Sequence, residues 1–254
     1  MDIVICNNNA ELNARAADMI VDQARAAIAA RGRFTIALAG GSTPQDTYVL
    51  LAQAPRVSSV NWQKTFVFMS DERCVPFDDE RSNFGQAQRN FIDHVSLPPT
   101  NVLPIPTDAG TPDQIAARYA QTLAEFFGTD LGAAPPAFDL VLLGLGDDGH
   151  CASLFPGKPT LEDTTHWVVS SPPGTLPPPV DRVTFTFPLI NAAREVMFLV
   201  GGANKAPAVQ DILENNPPVT KRPSAGVHPT PGQLTWLLDK DAASLLSTQT
   251  RGQQ

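Results

Sequence analysis

The sequence is poor in cysteine, in basic charge and in long apolar runs. Its 254 residues include only Cys6, Cys74 and Cys151, too few and too widely spaced for a disulfide framework or a C-x-x-C zinc site. Lysine and arginine total 18 against 26 acidic residues, a formal charge of −8. Such a chain has no long-range attraction for nucleic acid or an anionic membrane, so neither is expected as a partner. No stretch approaches the ~18 consecutive apolar residues that suggest a membrane span. The start lacks the basic residues and apolar run of a secretory leader, and a cytoplasmic protein is expected. Neither H-E-x-x-H nor G-x-S-x-G occurs, so zinc-hydrolase and serine-elbow chemistry lack support; no metal and no cofactor are expected.

What is present is an ordered globular composition, with 43% hydrophobic and 17% charged residues. The 24 prolines gather in connections such as Ser171-Pro172-Pro173 and Pro177-Pro178-Pro179, and patterned segments resume on both sides. One domain over residues 1–254 is the simplest organisation. Apolar spacing predicts helices over Glu11 to Arg31, Pro44 to Gln53 (capped by Ser42 or Thr43), Gln86 to Val95, Gln114 to Phe127 and near Lys205 to Leu213. Short apolar runs predict strands at Phe34 to Ala39, Thr65 to Met69, Phe138 to Leu143, Val183 to Phe187 and Val196 to Val200. The alternation predicts an α/β fold, a mostly parallel Rossmann-like sheet with helices on both faces.

Ligands of open α/β sheets bind beyond the carboxyl ends of the strands, and here those ends carry polar sequence. Gly40-Gly41-Ser42-Thr43-Pro44 follows a strand and opens a helix, so its N–H groups and the helix dipole can hold an anion. Ser70-Asp71-Glu72-Arg73, with Ser82-Asn83, sets an acidic pair beside an arginine, suited to a polyhydroxylated ligand; alone it is better explained by a surface ion pair. Gly144-Leu145-Gly146-Asp147-Asp148-Gly149-His150 satisfies G-x-G-x-x-G. The dinucleotide reading fails, because Pro156 interrupts any following helix and the acidic residues come too early. A histidine in a turn beside carboxylates is a general-base candidate, since imidazole titrates near neutral pH. Lys205, after Gly201-Gly202, and Arg182 are candidate phosphate cations. His166 and His228 have no such context, and His94 reads as a partner for a helix C-terminus.

Taken together, Gly40-Gly41-Ser42-Thr43-Pro44, Asp71-Glu72-Arg73 with Ser82-Asn83, and Gly144 to Pro156 resemble the 6-phosphogluconolactonase family. Arg182 to Thr186, Gly202-x-x-Lys205 and Trp236-x-x-Asp239 continue the resemblance in order over nearly the whole chain. It implies hydrolysis of a sugar phosphate lactone. His150 would be the base, oriented by Asp148 or Asp71. Gly41, Ser42, Thr43, Arg73, Asn83, Arg182 and Lys205 would hold the phosphate and ring, in a monomer or weak homo-oligomer. The similar glucosamine-6-phosphate deaminases carry a glutamate before the proline of the histidine segment and an aromatic residue in place of Arg73; this chain has Phe155-Pro156 and an arginine. Cys151 departs from the small or hydroxylated residue usual after the histidine, which bears on the pocket wall. Pro223-Ser224-Ala225 reverses a usual Pro-Ala-Ser.

Overall fold

The computed structural model describes residues 1–173 and 179–251, so Pro177 and Pro178 of the second proline cluster lie outside the described residues. The first half runs β1 (Asp2–Cys6), α1 (Asn9–Arg31), β2 (Phe34–Leu38), α2 (Ser42–Leu51), β3 (Thr65–Met69), β4 (Asp71–Arg73), α3 (Asn83–Asn90), β5 (Val102–Leu103) and α4 (Pro112–Phe127). The second runs β6 (Leu140–Leu143), β7 (Val168–Ser171), β8 (Arg182–Phe185), α5 (Phe187–Asn191), β9 (Glu195–Val200), α6 (Ala206–Asn215), β10 (Gln233–Asp239) and α7 (Thr248–Arg251). Among the described residues, no helix is long and apolar enough to cross a membrane.

Seven strands form one sheet in the order β1-β10-β9-β6-β2-β3-β5, every pairing parallel. Every residue of β2, β6 and β9 is buried. Continuous apolar runs are what strands covered on both faces require. A second, antiparallel sheet, β4-β8-β7, was not foreseen from the sequence. Ser70 joins the two sheets: its N–H donates to Leu38 O at 2.9 Å, and its carbonyl accepts from Phe185 N at 2.8 Å.

Local chemistry sets the helix ends. Asn8 caps α1 by accepting from Glu11 N at 2.9 Å, and Gly32 closes it in the left-handed region at φ 76°. Thr111 and Gln114 form a reciprocal capping box on α4. Helix α3 begins three residues before its expected start because Ser82 caps it, accepting from Gly85 N at 2.9 Å. Helix α2 begins at Ser42, not Pro44. Gly41 takes the cap position and no side chain caps the helix, so the expected Ser42 or Thr43 cap is corrected.

The order places β2 beside β6. From β2 the sheet continues to β3 and β5, and from β6 to β9, β10 and β1. The chain therefore departs in opposite directions from this pair, the place where doubly wound sheets open a crevice. Behind it, Phe138 is fully buried, with ring centroids 5.1 Å from Phe68 and Phe127 and 5.4 Å from Phe185. It thus ties β3, α4 and β8 together. Phe138→Ala is expected to cost about 3–5 kcal/mol, read as a lower urea midpoint with an unchanged slope.

Candidate active site

A cleft of about 230 Å³ opens at the carboxyl ends of β2, β6 and β9 and is closed on one side by β4 and β8. Its walls bring together nine of the ten residues expected at the site: Gly41, Ser42, Thr43, Asp71, Arg73, Asn83, His150, Arg182 and Lys205. The tenth, Asp148, does not line the cleft and stands behind His150 as its hydrogen-bond partner.

The turn after β6 is built around its last histidine. Gly146 N donates to His150 O at 2.8 Å and Gly149 N to Gly146 O at 2.9 Å. Gly149 has φ 83° and permits the reversal. Asp148 Oδ1 accepts from His150 N at 3.0 Å and stands 2.6 Å from His150 Nδ1. Burial raises the Asp148 carboxyl, but the His150 hydrogen bonds and nearby charge outweigh it and hold the group below its ordinary value. An ionised carboxylate can only accept, so Nδ1 carries a proton, and in the neutral ring the lone pair is then on Nε2. Among the described residues Nε2 has no protein hydrogen bond. The ring packs against Phe155 at 4.7 Å between centroids. A β-carbon on Gly146 would overlap this ring and approach Asp148 Oδ1 to 2.6 Å, so only glycine leaves room for the pair.

Asp71 makes no hydrogen bond to His150. Its Oδ2 accepts from Ser153 Oγ at 2.6 Å and its Oδ1 from Asn83 Nδ2 at 3.2 Å, leaving Asp148 as the carboxylate bonded to the imidazole. Glu72, expected to face a ligand beside Asp71, does not line the cleft. It is fully buried and accepts from the N–H groups of Arg73, Asn83 and Phe84, each at 2.7 Å, and from Ser82 Oγ at 3.0 Å. Burial pushes its carboxyl up to about 7 against the pull of those N–H groups. The reason is strand geometry: side chains alternate along β4, so Asp71 and Arg73 share one side and Glu72 takes the other. The buried carboxylate knots β4 to the start of α3.

Three cations reach the cleft. Arg73 donates through Nη1 to Asn83 Oδ1 at 2.6 Å and to Arg81 O at 2.8 Å. Arg182 is its register partner across β4 and β8. Arg182 is 7% exposed, lies 5.3 Å over the Phe155 ring and leaves Nε without a hydrogen-bond partner. Burial lowers its pKa, with nearby Asp71 opposing and nearby Arg73 reinforcing the shift. Lys205 ends the turn after β9 and pairs with Asp147. Asp239, at the end of β10, accepts from Gly202 N at 3.0 and 3.1 Å and so fixes that turn. The uncapped N-terminus of α2 completes the anion-attracting wall. Gly40 lies so close to Asn83 that any β-carbon there would overlap its amide.

Cys151 is corrected as a wall residue. It is buried and does not line the cleft, and Ala152, at φ 46°, lines it instead. His94 Nε2 meets Arg89 O in the last turn of α3 at 2.8 Å. His166 pairs with Asp163 away from the cleft. Ser153 and Asp239 were not assigned these supporting roles from sequence, because each acts on a neighbour distant along the chain. Among the described residues no three His, Cys, Asp or Glu side chains gather as a metal-ligand set.

The geometry makes Gly146 a test of the imidazole's support. Gly146→Ala is expected to displace the His150 ring from Asp148 at an overpacking cost of about 1–3 kcal/mol. The loss of a protected His150 Nδ1 proton resonance in NMR spectra of the folded variant would register it.

The sequence matches the family model described as glucosamine-6-phosphate isomerases/6-phosphogluconolactonase over residues 7–236. A 6-phosphogluconolactonase of Synechocystis is 42% identical over 246 residues, covering 97% of this chain and 98% of the relative. One from Rattus norvegicus is 38% identical, covering 96% and 93%. Among solved structures, 6-phosphogluconolactonase from Trypanosoma brucei superposes with a TM-score of 0.83 at 33% identity, covering 97% of this chain and 98% of that one. A monomeric glucosamine-6-phosphate deaminase superposes with a TM-score of 0.80 at 24% identity, covering 97% and 100%, a likeness of fold alone. With its fold and sequence matching along almost their whole length, this chain belongs to the glucosamine-6-phosphate isomerase/6-phosphogluconolactonase family.

Proposed function

We propose that this protein hydrolyses 6-phospho-D-glucono-1,5-lactone to 6-phosphogluconate, in the oxidative pentose phosphate pathway. The observation that carries the reading is one cleft holding an imidazole backed by a carboxylate and, beside it, Arg73, Arg182 and Lys205. A lactone is already an activated ester, so a base and a positioned phosphate are chemically sufficient to open it. The high identity to proteins named 6-phosphogluconolactonase supports the same substrate.

In this mechanism His150 Nε2 takes a proton from water as the water oxygen attacks the lactone carbonyl. Asp148 accepts the Nδ1 hydrogen bond and stabilises the imidazolium. N–H groups of the glycine turns steady the oxyanion. As the tetrahedral intermediate collapses, the bond from the carbonyl carbon to the ring oxygen breaks. The imidazolium proton passes to that oxygen, leaving a hydroxyl and a carboxylic acid. Arg73, Arg182, Lys205 and the Gly41 to Thr43 segment hold the phosphate, while Asn83 and Asp71 meet the sugar hydroxyls.

The test is lactone loss with freshly made 6-phosphogluconolactone, against its spontaneous hydrolysis. His150→Ala is expected to lower kcat by about 10²–10⁴-fold with KM little changed. Lys205→Ala is expected to act chiefly on KM. Full turnover by His150→Ala would remove the assigned base. No acceleration by the folded wild type would remove the lactonase reading, and ammonia release from glucosamine 6-phosphate would then support the deaminase.

A further inference from the structure

The turn after β6 carries two adjacent carboxylates with different partners. Asp148 holds His150, whereas Asp147 pairs with the Lys205 ammonium and also accepts from Asn204 Nδ2 at 2.9 Å. Lys205 lines the cleft and Asp147 does not. The Asp147 side chain is 63% exposed, against 23% for Lys205. The lysine is thus held at the cleft by a carboxylate standing at its outer edge.

The turn has other support. Its backbone is closed by the Gly146 and Gly149 hydrogen bonds. Arg222 backs it, donating from Nη1 to Asp147 O at 3.2 Å while its Nε meets Asp211 Oδ2 at 3.0 Å. The Asp147 side chain can therefore exchange its partner without loosening the turn.

We propose that Asp147 competes with the substrate's phosphate for Lys205. With the cleft empty it keeps the flexible lysine in place. When a phosphorylated ligand enters, the ammonium must be shared or released, and the Asp147 charge opposes the incoming phosphate. The arrangement weakens the grip on substrate and product alike, because both carry the same phosphate, and so favours product release. The inference rests on the reading of Lys205 as a phosphate ligand.

Asp147→Asn keeps the side chain's size and removes its charge, and Asp147→Ala serves as a second variant. Both are expected to lower KM for the phosphorylated lactone, and Ki for 6-phosphogluconate, by about two- to five-fold, the range open to an exposed ion pair. KM for unphosphorylated glucono-1,5-lactone should not move. The gain should shrink in a Lys205→Ala background. Phosphate-ligand constants that stay unchanged or rise in both variants would overturn the competition, leaving Asp147 as a support for the lysine. If Lys205→Ala by itself changed neither KM nor Ki, the phosphate role of Lys205 would fall, and this inference with it.

Discussion

The carboxyl ends of β2 and β6 lie side by side, and one glycine beyond each stands where no β-carbon fits. Gly40 admits the Asn83 amide, and Gly146 admits the His150 ring with its Asp148 partner. Parallel pairing of β2 with β6 fixes this approach, while the sheet order sends the chain away on both sides. The crevice is therefore a consequence of topology, and the glycines keep it open. The site's chemistry depends on that closeness: the imidazole meets its carboxylate only because the turn can fold this tightly.

Charge is organised locally against the field of the whole molecule. The chain carries a formal charge of −8, yet Arg73, Arg182 and Lys205 converge on one cleft. Two of these cations are set by the small antiparallel sheet, whose register makes Arg73 and Arg182 neighbours. Their repulsion is tempered by Asp71, which is itself held by Ser153 and Asn83. The buried Glu72 then anchors the strand that carries Arg73 to the helix that carries Asn83. A phosphate entering here would meet two arginines whose places are already set, so little ordering of Arg73 and Arg182 is left to be done on binding.

Much of this was legible in the sequence, and the failures have physical causes. The buried strands β2, β6 and β9 were visible as continuous apolar runs, and the glycine-rich segments after them marked the crevice. Strands β1, β7 and β10 were not predicted. β1 and β10 join the large sheet through residues far along the chain, which local periodicity does not reveal, and β7 is a four-residue strand with only its two ends buried. Glu72 was misplaced because Asp71-Glu72-Arg73 was read as the end of a strand. Recognised as a strand, its alternation would have turned Glu72 away from Asp71 and Arg73. The identity of the carboxylate bonded to His150 needed coordinates, since Asp148 and Asp71 are both near it in chemistry but only one is in reach.

The proposed catalysis requires Asp148 to hold the imidazole with its proton on Nδ1 and its lone pair at Nε2. The most direct measurement is the steady-state rate of lactone hydrolysis by Asp148→Asn. An amide turned to donate toward Nδ1 would favour the opposite tautomer and leave no lone pair at Nε2 to take a proton. kcat is expected to fall by about 10²-fold or more, with KM for the phosphorylated lactone nearly unchanged. A variant that kept the wild-type kcat would contradict it.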